Sequence, residues 1–110
     1  LTINKNFYVY VESLDSLLAN KFTTYIFRSK ERDLYDLREI TKLLKRRGVN
    51  IDRLVRAMRK YNIIGDTEKA FWLYLEVNGI ITNAGEYVDF ESDEKEKILK
   101  YLRSRFLARL

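Results

Sequence analysis

The sequence contains no cysteine, no histidine and no proline. Glutamine is also missing, methionine occurs only at position 58, and no apolar run is long. Without cysteine there is no disulfide, no thiolate nucleophile and no thiolate metal site. Without histidine the commonest zinc ligand and general base is gone as well. A metal ion would therefore have to be held by carboxylates, which suits magnesium or manganese better than zinc. No segment approaches the roughly 18 consecutive apolar residues of a membrane span. The start also lacks the charged, apolar and small-residue regions of a signal peptide. The expectation is a soluble, cytoplasmic chain with no membrane partner.

What is present fits one domain. The chain has 110 residues, 46% of them apolar and 14% aromatic, enough for a modest core. Charged residues make up 34%, which, with glutamine absent, resembles the thermophile bias toward ion pairs; the lack of proline points the other way. The first residue is Leu1 and the only methionine is Met58. This predicts the C-terminal piece of a longer chain, with any site shared with an upstream part.

Hydrophobic periodicity gives a mainly α fold, a bundle of about five helices with one or two short β elements. Phe7-Tyr8-Val9-Tyr10-Val11 is β-branched or aromatic throughout and reads as a strand left over from an upstream sheet, with residues 13–110 forming the helical region. Ser13 caps a first helix over 14–28, and a second begins near Asp33 and ends at Gly48 behind the cations Lys45, Arg46 and Arg47. Asn50 caps a third helix, ending near Tyr61, that buries Ile51, Leu54, Val55 and Met58. From Asp66 to Val77 the chain is almost continuously apolar; Asp66 as a cap and Gly79 as a stop favour helix over strand. Asn83-Ala84-Gly85 predicts a turn between two short extended runs, as in a hairpin over 80–90. A last helix from Ser92 buries Ile98, Leu99, Leu102 and Phe106.

Three charges break these patterns. The apolar stripe of the first helix is Leu14, Leu17, Leu18, Phe22, Tyr25 and Ile26, and Lys21 lies within it. On the second helix Asp33 and Asp36 precede Leu37 and Ile40 by four, on the apolar side. A lysine so placed costs stability unless its ammonium reaches water or an anion. Two readings stay open. The aspartates are helix-start acids stabilised by the helix dipole, with Lys21 tying two helices together, or the three charges face a cleft.

Positive charge is concentrated. Residues 28 to 60 carry 12 Lys or Arg against 5 Asp or Glu, net +7, and the rest carry 9 against 11, net −2, giving +5 for the chain. Arg53, Arg56 and Lys60 recur at helical spacing opposite Leu54 and Met58, as a phosphate-contacting stripe or a plain solvated face would. The span 40–59 also reads as helix, Gly48 turn, helix, with Leu43, Val49 and Leu54 at the apolar positions of a helix-turn-helix, and residues 80–90 as its wing. Against this DNA-binding alternative, Leu44 stands where a small residue is usual and Arg47 where an apolar one is buried.

The run Ala19, Lys21, Phe22, Arg28, Lys30 and Arg32-Asp33-Leu34-Tyr35-Asp36-Leu37 resembles the signature of the AbiEii-type nucleotidyltransferases, toxins of toxin-antitoxin and abortive-infection systems. The resemblance implies the helical C-terminal part of an α+β, polymerase-β-like enzyme. It further implies Lys21, Arg28 and Arg32 on nucleotide phosphates, and Asp33 and Asp36 as catalytic carboxylates near an acceptor hydroxyl. Arg53, Arg56 and Lys60 on the basic belt would hold an acceptor, for which RNA is one candidate; neither acceptor nor base is read from these residues. Implied partners are a nucleoside triphosphate, the missing N-terminal domain and an antitoxin protein; magnesium is implied for the intact enzyme only. The family's metal motif, a Gly-Ser turn followed by an Asp-x-Asp/Glu strand, does not precede Lys21. Asp89-Phe90-Glu91 has the bare spacing but lies downstream with no phosphate-binding turn before it. No metal ligand is therefore assigned, and the chain alone is expected to be inactive.

Overall fold

The computed structural model describes residues 12–107, so the strand expected at residues 7–11 lies outside the described part. The first helix, α1 (Leu14–Arg28), starts where Ser13 accepts a hydrogen bond from the Ser16 N–H at 3.2 Å. It ends at Ser29, which turns left-handed at φ 57° and returns its N–H to the Tyr25 carbonyl. That turn leaves one residue, Lys30, before α2 (Glu31–Arg47), two residues earlier than the first aspartate alone indicates. Glu31 and Asp33 both fall in the first turn of α2, and Lys45, Arg46 and Arg47 in its last. Gly48 then takes φ 92°, a left-handed conformation that releases the chain toward α3 (Ile51–Lys60), capped by the Asn50 side chain on the Arg53 N–H.

The centre of the molecule is α4 (Gly65–Val77), in which Ala70 through Leu75 are buried without interruption. A helix apolar on all sides must be surrounded, which is why its continuous apolar run is helix and not strand. Phe71 and Tyr74 of α4 meet Phe22 of α1, and Phe22 stacks on Phe106 with centroids 4.9 Å apart and planes at 6°. Tyr25 and Tyr74 close on the edges of Phe106, so one aromatic cluster ties α1, α4 and the C-terminal segment together. The Tyr74 hydroxyl shares a 2.9 Å hydrogen bond with Thr41 of α2, and burial pushes its phenol pKa up.

After α4 the hairpin reading fails. Among the described residues there is no strand; Ala84–Glu86 forms a single 3-10 turn instead. The reason is local capture of the backbone groups a strand pair would need. The Ala84 N–H donates to Glu76 at 2.8 Å, the Asn83 side chain accepts from the Gly85 N–H, and the Val88 N–H returns to the Ala84 carbonyl. Tyr87 stacks on Trp72 at 4.3 Å, holding the segment against α4. The last α-helix, α5 (Glu94–Leu102), starts two residues later than Ser92 because Asp93 adopts φ 73°. It runs into one π-helical turn, Arg103–Leu107. Of the residues expected to be buried there, Leu102 and Phe106 are, whereas Ile98 and Leu99 are only half-buried. Ile51 and Val55 of α3 are likewise half-buried.

Candidate functional site

The α1–α2 junction gathers the three anomalous charges. α1 packs along α2 and also against α3. Lys21, midway along α1, places its Nζ 3.0 Å from Asp36 Oδ2 and 3.8 Å from Asp33 Oδ1. Arg28, seven residues further on the same face, donates from Nη2 to Asp33 Oδ2 at 3.1 Å, with Nε at 3.4 Å. Asp33 therefore lies between two cations, and its side chain is only 2% exposed. Two cations and two carboxylates balance, so the cluster carries no net charge while keeping both signs within one junction.

Exposure separates the members of this cluster. Lys21 is 27% exposed, Arg28 48% and Asp36 43%, so the ammonium and the guanidinium reach solvent while the carboxylate between them does not. Asp36 faces α1, as expected, but at the rim of the contact and not in its interior. Arg32 points away on the exposed face of α2 and joins none of these pairs. Spacing explains Arg32, which is one residue before Asp33 and so about 100° around the helix. Asp36, three residues after Asp33, stays on the same side one turn along and meets the same lysine.

Arg53, Arg56 and Lys60 form a second, separate group. They line a shallow recess of about 200 Å³ with Ser13 and Ser16 at the start of α1. Lys60 lies 3.7 Å from Glu12 and its Nζ sits over the Tyr61 ring. Burial alone would raise the Glu12 carboxyl, but hydrogen bonds from Ser16, Tyr61 and Asn20 and the charge of Lys60 outweigh it and hold the pKa below its ordinary value. Burial and the same carboxylate push the Tyr61 phenol up, so it stays a proton donor to Glu12. Along α1 the two groups are separated by roughly 8 to 22 Å at the 1.5 Å rise per residue.

The larger recess, about 510 Å³, lies elsewhere, between the start of α4 and α5, and holds none of the sequence-predicted site residues. Its Glu94 is hydrogen-bonded by Lys69 at 2.8 Å, which draws the Glu94 carboxyl down and the Lys69 ammonium up. Three residues that sequence reasoning missed act around the α1–α2 junction or the base of α1. Asp15 is 1% exposed and accepts from the Asn50 N–H at 3.1 Å, fixing α3 to α1. Arg38 reaches the Phe106 carbonyl, and Arg105 reaches the end of α1. Their partners lie 35 to 80 positions away, beyond any local pattern.

With this geometry in view, a comparison with protein families settles the class. Residues 2–109 match the family model described as nucleotidyl transferase AbiEii toxin, Type IV TA system. The chain belongs to this AbiEii nucleotidyltransferase family. Comparisons with curated proteins and with solved structures return no match. Within the AbiEii chain the helix-turn-helix alternative is not favoured: residues 80–90 supply no wing, and Leu43, which that motif places inward, is 42% exposed. No helix among the described residues is long and apolar enough to cross a membrane. Nor do the described residues bring three acidic side chains together in a metal-binding group, and Asp33 and Asp36 are already matched by Lys21 and Arg28. These residues by themselves do not fit a magnesium site.

Proposed function

We propose that this AbiEii chain is the helical portion of a nucleotidyltransferase and presents the α1–α2 junction to a nucleoside triphosphate. The observation that carries the reading is the family match over residues 2–109. The junction supplies the chemistry that such a reaction needs from this side: Lys21 and Arg28, both reaching solvent, offer donors for phosphate oxygens, with Arg32 on the adjoining exposed face. An incoming phosphate competes with Asp33 and Asp36 for the Lys21 ammonium. Displacement of that ion pair leaves a carboxylate free to accept the proton of the acceptor hydroxyl, with Asp36 at the solvent rim and Asp33 behind it.

The acceptor is nucleic acid, RNA in this reading, held by its phosphates on Arg53, Arg56 and Lys60. Magnesium belongs to ligands on an upstream sheet domain, and no step is assigned to it here. The same reading makes the present chain inactive alone and assigns the intact protein an antitoxin partner, as the family's description as a toxin of a toxin–antitoxin system supports.

Isothermal calorimetry with a magnesium-nucleotide complex, on this chain and on a longer protein that includes an upstream domain, tests the proposal. Binding by the longer protein only, lost on Lys21→Ala with the helical circular dichroism retained, is the expected result. Absence of binding from both, with duplex DNA bound instead, would replace it by the helix-turn-helix reading. Unfolding of the present chain by Lys21→Ala would make Lys21 a structural tie.

A further inference from the structure

The turn between α1 and α2 sets where Arg28 and Asp33 stand relative to Lys21, and it is held by a residue from the far end of the chain. Arg105 Nη2 donates to the Ile26 carbonyl at 2.9 Å, to the Tyr25 carbonyl at 3.3 Å and to Ser29 Oγ at 2.6 Å. Two of these acceptors belong to the last turn of α1, where the Tyr25 carbonyl also takes the Ser29 N–H. The third belongs to the residue in the left-handed conformation, φ 57°, that reverses the chain. Arg105 lies over the face of the Tyr25 ring, its guanidinium carbon 5.3 Å from the centroid, and the Tyr25 hydroxyl donates back to the Arg105 carbonyl at 3.1 Å. From α2, Arg38 donates to the Phe106 carbonyl. One π-helical turn is thus joined to both helices that carry the charged cluster.

Serine in the left-handed region is sterically disfavoured, so something must hold it there. Arg28 immediately precedes that serine and Asp33 follows it by four residues. A small rotation at Ser29 would swing Arg28 away from the buried carboxylate. Among the described residues the buried Arg105 Nε has no hydrogen-bond partner.

We propose that Arg105 is a positioning residue, which locks the α1–α2 turn through Tyr25, Ile26 and Ser29 and so fixes the Arg28–Asp33 pair in the place a nucleotide meets it. This deepens the nucleotidyltransferase reading and rests on it for its catalytic meaning. Arg105 touches no substrate; it acts through the turn.

The test compares Arg105→Ala and Arg105→Lys with the parent, by exchange in the present chain and by transfer in a longer protein that includes the upstream domain of the proposed function. Amide hydrogen exchange is expected to rise about tenfold in Arg105→Ala for residues 28–34, with the α4 amides unchanged. Arg105→Lys, which keeps the charge but not the fork that spans three acceptors, restores part of the protection. Nucleotidyl transfer is expected to lose about tenfold to a hundredfold in kcat, with the nucleotide KM changed less than threefold. Exchange that rises in all helices alike, or in none, would overturn the lock. Faster exchange at 28–34 with unaltered kcat would overturn the positioning role. Asp33→Asn, measured alongside, tells the two ideas apart: full activity in that variant refutes the catalytic reading of the site, while the exchange pattern of the arginine variants still decides the lock.

Discussion

The α1–α2 junction and the outer face of α3 are both rich in cations, and the fold treats them in opposite ways. At the junction Lys21 and Arg28 face Asp33 and Asp36, and the central carboxylate is sealed from water. On α3, Lys60 lies 3.7 Å from Glu12, a carboxylate that three other side chains also engage, while Arg53 and Arg56 line the same recess without meeting it. The difference lies in what solvent can do. A carboxylate buried beside two cations is held in one geometry by them, because leaving it unpaired costs its desolvation. Cations on an open face keep their hydration and remain free for a polyanion, at little cost to stability. The junction is organised for orientation, the α3 face for attraction.

The strongest way to break this contrast is to empty the centre of the junction. Asp33→Ala is expected to cost about 2 to 3 kcal/mol, measured as a shift in the urea midpoint. That figure is below the full penalty for splitting a buried pair because Lys21 and Arg28 can turn toward water. Arg53→Ala in the same assay is expected to stay within about 0.5 kcal/mol. Equal costs would mean that the two regions are not organised differently.

Sharpening the other side needs a polyanion. Replacing Arg53, Arg56 and Lys60 together by alanine is expected to weaken single-stranded RNA binding and to lower the slope of log affinity against log salt by about 2, at roughly 0.7 per phosphate contact. The urea midpoint should barely move. A slope that does not change would make α3 an ordinary solvated face.

The smallest effect concerns Glu12, the acid that Lys60 faces. Its folded pKa lies below the ordinary 4.5, so it stabilises the fold fully above pH 4.5 and loses that contribution as the pH falls through the depressed value. At about 1 kcal/mol or less for a partly exposed group, the loss should appear as an acid-side decline in melting temperature that Glu12→Gln flattens. An unchanged pH profile in that variant would show that the Ser16, Tyr61 and Lys60 contacts add nothing to stability.

Much of this was legible in the sequence, and the particular misses share a cause. Ser13 and Asn50 announced two helix starts because capping is satisfied within three residues. The apolar run after Asp66 proved helical, but Asp66 does not cap it: the helix starts one residue earlier, at Gly65, with Ile64 at the cap and Asp66 in the first turn. Residues 80–90 went wrong because Glu76 and Trp72, elements of a helix already passed, captured the backbone and side chains that a hairpin would have used. Lys21 was marked as anomalous by its position in the stripe, and its meeting with Asp36 and Asp33 followed from two amphipathic helices packing face to face. The site's outer support was not visible, since nothing local distinguishes Arg105 from the other cations near the C-terminus.

The sequence by itself determined the helical periods, their caps, the concentration of charge over residues 28 to 60 and the family signature around Asp33. Each of these is written within a few neighbouring positions, where side-chain direction and backbone capping act. Only the tertiary structure decided which cations are paired and which are free, that Asp36 stands at the rim, and that Arg105 closes the end of α1. Those outcomes depend on which groups lose their water when helices far apart in the chain come together, and burial is a property of the packed molecule that no short stretch of sequence carries.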